Sequence, residues 1–229
     1  MKKINGIKVI VPTRSSGGIR SVRIKKMLDS YENTKKHKNT SIVLGLDKDD
    51  HMYYNLYKNS YQHIIMPRKR FVSKINTMSR GFVDEYDFLF FLGDDQVFLT
   101  PGWDQIFIDE AKKFECACIL YPEDNNPNND LPTSVFISSN IIEKVGYMAP
   151  PSLVHMYADN FWKDIGNELS ILKKVDQVIV DHQHGFLGKA PIDRQYYEND
   201  SYMNQDRISY NLYLKNYFIK DINKIKQLL

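Results

Sequence analysis

Short, nearly continuous apolar runs recur along this 229-residue chain, and the first four are each followed by a segment with helical spacing. Ile7 to Val11 is the first run, ended by Pro12. Ser41 to Leu46 (SIVLGL), His63 to Met66, Asp87 to Leu92 (DFLFFL) and Ala117 to Tyr121 follow. Unbroken runs of this length suit strands buried on both faces, because a strand covered on one side alternates apolar with polar residues. Between them, Ile19 to Tyr31, Met52 to Tyr61, Phe71 to Val83 and Trp103 to Phe114 read as helices. In the third of these, Phe71, Ile75, Met78 and Phe82 form one apolar stripe. The alternation predicts an α/β fold with a mostly parallel central sheet flanked by helices on both faces, and Asp87 to Leu92 as its central strand.

The regularity stops after Tyr121. The polar segment EDNNPNND, residues 123–130, reads as a loop. Beyond it, Thr133 to Ser138 and Val175 to Val180 are strand candidates. Asn140 to Val145 is a short helix with Asn140 as cap and Glu143 three residues on, and Tyr157 to Glu168 is a longer helix. Gly185, Gly188 and Pro191 make the next segment loop-like, and a helical C-terminal tail runs from about Ser201 to Leu229.

Composition narrows the function classes. Lys plus Arg total 31 and Asp plus Glu 28, a net charge of +3, which is too mild to announce a nucleic-acid protein. Cys116 and Cys118 are too few for a disulfide framework and are expected to pack as small hydrophobes at the start of a buried strand. No run reaches the ~18 apolar residues of a membrane span. The N-terminus has an apolar run too short and too interrupted for a signal peptide, so a cytoplasmic location is expected. The segment RSSGG, residues 14–18, lacks both the dinucleotide-binding glycine spacing and the P-loop lysine.

The sharpest motif is FFLGDDQVF, residues 90–98, in which a bulky apolar strand runs straight into Gly93, Asp94 and Asp95. Ligands of such sheets gather at the carboxyl ends of strands. Adjacent carboxylates there suit Mg²⁺ or Mn²⁺ bridging a diphosphate; a plain turn is the alternative. His182 and His184 alternate, so on an extended chain they share a face, and one or both can ligate a metal. Lys189 and Arg194 follow as candidate phosphate donors. Asp47, Asp49 and Asp50 follow a strand and suit a cation, a nucleobase or ribose, or simply solvent. Asp159 sits where a helix opens, as an N-cap or as a carboxylate beside an acceptor pocket.

Taken in order, these segments resemble the GT-A glycosyltransferases of family-2-like type, with a Rossmann-like sheet. VIVPTR (9–14) resembles that family's opening strand and nucleotide loop, which implies donor contacts for Thr13 and Arg14. LGLDKDD resembles its second strand, with Asp47 matching the base-contacting acid. KINTMSRGF (74–82) resembles the helix that faces the nucleotide, so Lys74 and Asn76 are implied. FFLGDD falls on the Asp-x-Asp signature, here with glycine at the first acidic position. That implies metal binding by Asp95 with His184 as partner, and a ribose or metal role for Asp94. YADNFWKDIG resembles the acceptor half and places Asp159 on the catalytic base. HQHGFLGKAPIDRQYY resembles the strand and loop that close over the donor, as in short bacterial and phage members.

The resemblance implies a single domain over residues 1–229. Residues 1–121 form its nucleotide-sugar half, 122–200 its acceptor half and closing loop, and 201–229 its tail. It implies an inverting transfer from a UDP-sugar to a hydroxyl acceptor with Mn²⁺ or Mg²⁺ as cofactor. The acceptor candidates are a glycan, a small molecule, a protein and a hydroxymethylated pyrimidine in DNA; for the last, the Lys-rich segments would track phosphates. A nucleotidyltransferase of similar fold and a non-catalytic nucleotide-sugar-binding module are the alternatives.

Overall fold

The computed structural model describes residues 3–15, 20–126, 130–192 and 194–229, without the side chains of residues 186 and 194–196. Its strands are β1 (Ile4–Pro12), β2 (Thr40–Asp47), β3 (Gln62–Met66), β4 (Tyr86–Phe91), β5 (Gln96–Phe98), β6 (Ile119–Glu123), β7 (Val135–Ser138) and β8 (Leu172–His182). They form one sheet in the order β3-β2-β1-β4-β7-β6-β8-β5. The helices are α1 (Ser21–Thr34), α2 (His51–Tyr57), α3 (Phe71–Arg80), α4 (Trp103–Ala111), α5 (Ser139–Val145), α6 (Ala158–Glu168), α7 (Arg194–Asp200), α8 (Met203–Asn216) and α9 (Phe218–Lys226).

The apolar runs are strands because both faces of the sheet are covered. Along β4 and just beyond it, Leu89 and Phe91 enter one core with Met78, Ile137, Phe161 and Trp162, while Phe90 and Leu92 enter the opposite core with Met27, Trp103 and Phe107. Pleat alternation thus feeds two cores from one continuous run. The second core is aromatic: Phe98 stacks on Trp103 at 4.1 Å between centroids, and Phe107 on Phe136 at 5.2 Å. Gly45 is needed where α3 crosses β2, since a Cβ there would meet Met78 Sδ at 2.4 Å.

The fold class is as the alternation predicts, with β4 central and four of the seven strand pairings parallel. The second half rearranges the order. β7 wedges between β4 and β6 and runs antiparallel to both, so the regular βα alternation ends one strand earlier than chain order implies.

Three local expectations change. Asn140 is not a cap: Ser138 precedes α5, and Asn140 Nδ2 donates to the Cys116 carbonyl at 3.0 Å. The segment after β8 is not all loop, for a 3₁₀ turn at Gly185–Leu187 and α7 lie within it. Cys118 is buried as expected, its Sγ 3.6 Å from Ser138 Oγ and its thiol pushed up to about 12 by burial, but Cys116 is exposed. Among the described residues, no helix is long and apolar enough to cross a membrane.

Candidate active site

The carboxyl ends of β1, β2, β3 and β4 open on one cavity of about 710 Å³. Thr13, Arg14, Asp47, Lys74, Asp94, Asp95, Asp159 and His184 all line it. Parallel strands in one sheet end on the same edge, so residues far apart in sequence meet there without further instruction. The facing wall comes from the second half, through His155, Asp159 and Trp162 around the start of α6, and Glu198 on α7.

The paired aspartates have separate roles. Asp94 accepts from Thr13 Oγ1 at 2.6 Å and pairs with Arg20 Nη1 at 3.2 Å, which ties the end of β4 to the β1–α1 connection. Burial raises its carboxyl despite Arg20. Its oxygens are committed inside the protein, so it is not an open metal ligand. Asp95 faces the other way, with Oδ1 3.5 Å from His182 Nε2. Burial pushes its carboxyl up, but the His182 hydrogen bond and charge, aided by Arg20 and His184, outweigh that and hold it below the usual range.

Strand register explains why His182 is the nearer imidazole. β5 pairs antiparallel with β8, Gln96 stands opposite His182, and Gln183 N donates to the Asp95 carbonyl at 2.8 Å. The last residue of β8 is thereby delivered to Asp95. His184 follows, its ring centroid 5.0 Å from that of His182. Gly93 stands where the family signature has an acid; a Cβ there would lie 2.9 Å from Asp95 Oδ1 and 3.2 Å from Gln96 Oε1, so both side chains would have to shift.

Among the described residues, no three His, Cys, Asp or Glu side chains converge to enclose a cation by themselves. Mg²⁺ and Mn²⁺ at phosphate-handling sites do not need such a cage; one or two protein ligands plus substrate phosphates and waters suffice. A carboxylate with an imidazole beside it, at the mouth of a cleft, fits that mode. Asp95 and His182 would be the donors of such an ion.

Asp47 is buried and bridges two cations, Arg14 Nη1 at 2.8 Å and Lys74 Nζ at 2.7 Å. Arg14 also forks onto Asp49 at 2.9 Å through both nitrogens. Asp50 caps α2 and accepts from Ser15 N at 2.6 Å. The acidic turn is therefore an ordered frame for the β1 loop and not a solvated run.

Two expected donor contacts lie elsewhere, and a third is not described. Asn76 does not reach the cavity: its amide clamps the backbone of Met148 and Ala149, accepting at 2.8 and 3.0 Å and donating to the Ala149 carbonyl at 2.8 Å. Lys189 is drawn back onto β8 by Asp181 Oδ1 at 2.6 Å and is not on the cavity wall. The side chain of Arg194 lies outside the described residues.

On the facing wall, Tyr157 precedes α6 with φ 68°, so Asp159 stands in the first turn of that helix rather than at its cap. Its Oδ1 accepts from Asn160 N at 2.9 Å, and burial raises its carboxyl above the usual range. The loop before it is held by Asp206 of α8, a fully buried carboxylate that accepts from the backbone of Val154, His155 and Met156 at 2.8, 2.7 and 2.7 Å. His155 packs its ring on Phe71 at 5.2 Å, and burial pushes it down to about 4, so it is neutral at pH 7.

Several lining residues had not been singled out from sequence: Arg20, Arg68, Lys69, Arg70, His155 and Glu198. The three consecutive cations directly after the Pro67 strand stop were the available signal. Nothing in the sequence marks His155 or Glu198, whose positions depend on α6, α7 and α8.

No family model matches this sequence, and no curated protein matches it. Solved structures do. S. aureus TarS 1–349 in complex with UDP-GlcNAc superposes with a TM-score of 0.57 at 15% identity, covering 84% of this chain and 64% of that one. Against the longer TarS structure the match covers 83% of this chain but only 41% of that chain, with a TM-score of 0.55 and 14% identity. Glucosyl-3-phosphoglycerate synthase from Mycobacterium tuberculosis, in complex with Mn²⁺, UDP and phosphoglyceric acid, gives a TM-score of 0.57 at 11% identity over 80% of this chain and 74% of that one. With its cleft at the shared strand edge, the chain has the GT-A fold of these glycosyltransferases.

Proposed function

We propose that the protein is a glycosyltransferase that moves a sugar from a UDP-sugar to a hydroxyl acceptor, with inversion and with the help of a divalent cation. The observation that carries this reading is the pairing of opposite walls in one cleft. Asp95 and His182 stand at the strand edge, and Asp159, with its raised carboxyl, stands at the head of α6. The likeness to proteins solved with UDP or UDP-GlcNAc supports the donor class.

In this reading Asp159 accepts the proton of the acceptor hydroxyl as that oxygen attacks the anomeric carbon. A carboxylate with a raised pKa is a stronger base than a solvated one. The new glycosidic C–O bond forms as the bond to the UDP oxygen breaks, and the electron pair leaves with the diphosphate. Asp95 and His182 would hold Mn²⁺ or Mg²⁺, which neutralises the charge growing on that leaving group. Arg20, anchored by Asp94, adds fixed positive charge at the same edge. Phe91 and Trp162, 5.6 Å apart between centroids, form an apolar part of the wall that limits water.

The test is UDP release from a panel of UDP-sugars, with and without chelator. Metal-dependent release is the expected result. Consumption of a nucleoside triphosphate with release of pyrophosphate, and no turnover of any UDP-sugar, would replace this reading with nucleotidyl transfer.

A further inference from the structure

Arg68, Lys69 and Arg70 follow β3 and stand in the cleft, beyond the residues already assigned to metal and base. The other cations of the strand edge are committed: Arg14 and Lys74 to Asp47, and Arg20 to Asp94. Lys69 Nζ turns aside to donate to Thr77 Oγ1 at 3.1 Å. Arg68 and Arg70 instead converge on a single oxygen, Glu198 Oε2, at 3.6 and 3.0 Å. One carboxylate held by two guanidinium groups marks a place built for an oxyanion, and guanidinium forks prefer phosphate or carboxylate.

Contacts of the adjoining residues place this pair on the acceptor side. Val72 N donates to the Val154 carbonyl at 3.2 Å, and the Phe71 ring packs on His155. The two arginines therefore border the loop that leads into Asp159, while Asp95 and His182 belong to the edge formed by β5 and β8. The Arg70 guanidinium lies 5.0 Å over the Tyr202 ring, which fixes its orientation. The arginines are about half exposed, with side-chain accessibilities of 51% and 43%. Their pairs with Glu198 are thus weakly stabilising and easily exchanged for another anion.

We infer that Arg68 and Arg70 form an acceptor subsite for a terminal oxyanion, a phosphate or a carboxylate, and that Glu198 occupies it until the acceptor displaces it. This inference deepens the proposed transfer reaction and rests on it. The acceptor is then a small hydroxyl compound carrying its own negative charge. A dianionic phosphate exchanges for the single charge of Glu198 more favourably than a carboxylate does.

The experiment uses the full chain saturated with UDP and Mg²⁺, with binding of glycerol 3-phosphate, glycerate and glycerol followed by ligand-observed NMR. Wild-type protein should bind glycerol 3-phosphate more tightly than glycerate and should not bind glycerol. Equal or tighter binding of glycerate would make the group a carboxylate. The double variant Arg68→Gln, Arg70→Gln should weaken phosphate-probe binding at least tenfold while UDP affinity stays within about twofold. Glu198→Gln removes the competing charge and should tighten the probe severalfold. Absence of probe binding by wild type, or probe binding unchanged in the double variant, overturns the subsite. A parallel loss of UDP affinity in the double variant also overturns it, by assigning the arginines to the donor. Failure of wild type to bind UDP at all would instead count against the transferase reading, and is measured separately before any probe is added.

Discussion

The two walls of the cleft are built by different means. On the wall formed by residues 3–123, most site residues follow directly from a strand end: Thr13 after β1, Asp47 at the end of β2, Arg68 after β3, Asp94 and Asp95 after β4. Chain order and sheet formation are enough to bring them together. On the wall formed by residues 130–229, the loop that carries His155 and leads to Asp159 is held by Asp206, some fifty residues later in the chain. Asp221 likewise takes hydroxyl donors from Tyr147 and from Tyr213, the latter at 3.2 Å, and Asp164 accepts from Tyr210 at 2.7 Å. The C-terminal helices are thus part of what holds this wall and not an appendage. One wall is a consequence of topology; the other depends on a few buried carboxylates finding donors.

The comparison is broken most severely at Asp159. Asp159→Asn keeps the shape and cannot accept a proton, so transfer should fall by roughly 10²–10⁴-fold with UDP affinity unchanged. Burial raises the folded carboxyl above its unfolded value. What this group contributes to stability is therefore present at low pH and lost as pH rises through the folded value. Asn escapes that loss, so the melting temperature at neutral pH should hold or rise. In the parent, the acid limb of kcat/KM should lie above the ordinary carboxylate value of about 3.9. Near-normal transfer by a stable variant would leave Asp159 a structural residue.

Next in size is Asp206→Ala, which strands three backbone N–H groups. An expected loss of about 3 kcal/mol, or roughly 6–12 °C in melting temperature, follows from leaving buried donors unpaired. Transfer by the surviving folded protein should fall as well, with UDP affinity kept. A variant as active and as stable as the parent would show that the wall carrying Asp159 does not need the tail.

The place where β8 brings the second half to Asp95 is probed by His182→Ala and His184→Ala. Removing His182 should weaken the metal requirement's half-saturation by at least about tenfold, as even outer-shell partners of metal ligands do. Loss of His184 should have the smaller effect, given the register that brings His182 to Asp95. The reverse order would mean that the donor-bound site is rearranged from the one described.

The last prediction concerns the packed sheet itself. Lys8 on β1 is buried, lies 4.6 Å over the Phe82 ring and donates to Ser41 Oγ at 3.1 Å. Burial lowers its pKa from 10.5 to about 8, against the opposing charge of Glu85. Between those values the unfolded chain holds a proton that the folded chain does not, so stability should rise as pH climbs from about 8 toward 10.5. Lys8→Met should abolish that rise in a series of melts; a rise that persists would belong to another group.

The strands through β4, and β4 as the central one, were legible because a run such as Phe88 to Leu92 can be buried only between two cores. Asp95 and Asp47 were legible for the same reason, as polar residues that end such runs. The reading failed where one residue type serves two physical ends. Asn76 looked like a nucleotide contact but satisfies the buried backbone at Met148 and Ala149. Lys189 looked like a phosphate donor but finds Asp181 closer.

The amino-acid sequence alone determined the α/β class, the central strand and the edge at which carboxylates collect, because burial and strand length act locally along the chain. Only the tertiary structure decided which histidine meets Asp95, that β7 inserts antiparallel beside β4, and that Arg68 and Arg70 share Glu198. Each of these depends on strand register or on contact between segments distant in sequence. No local propensity encodes such a choice, since it is made by which buried polar groups can all be satisfied at once.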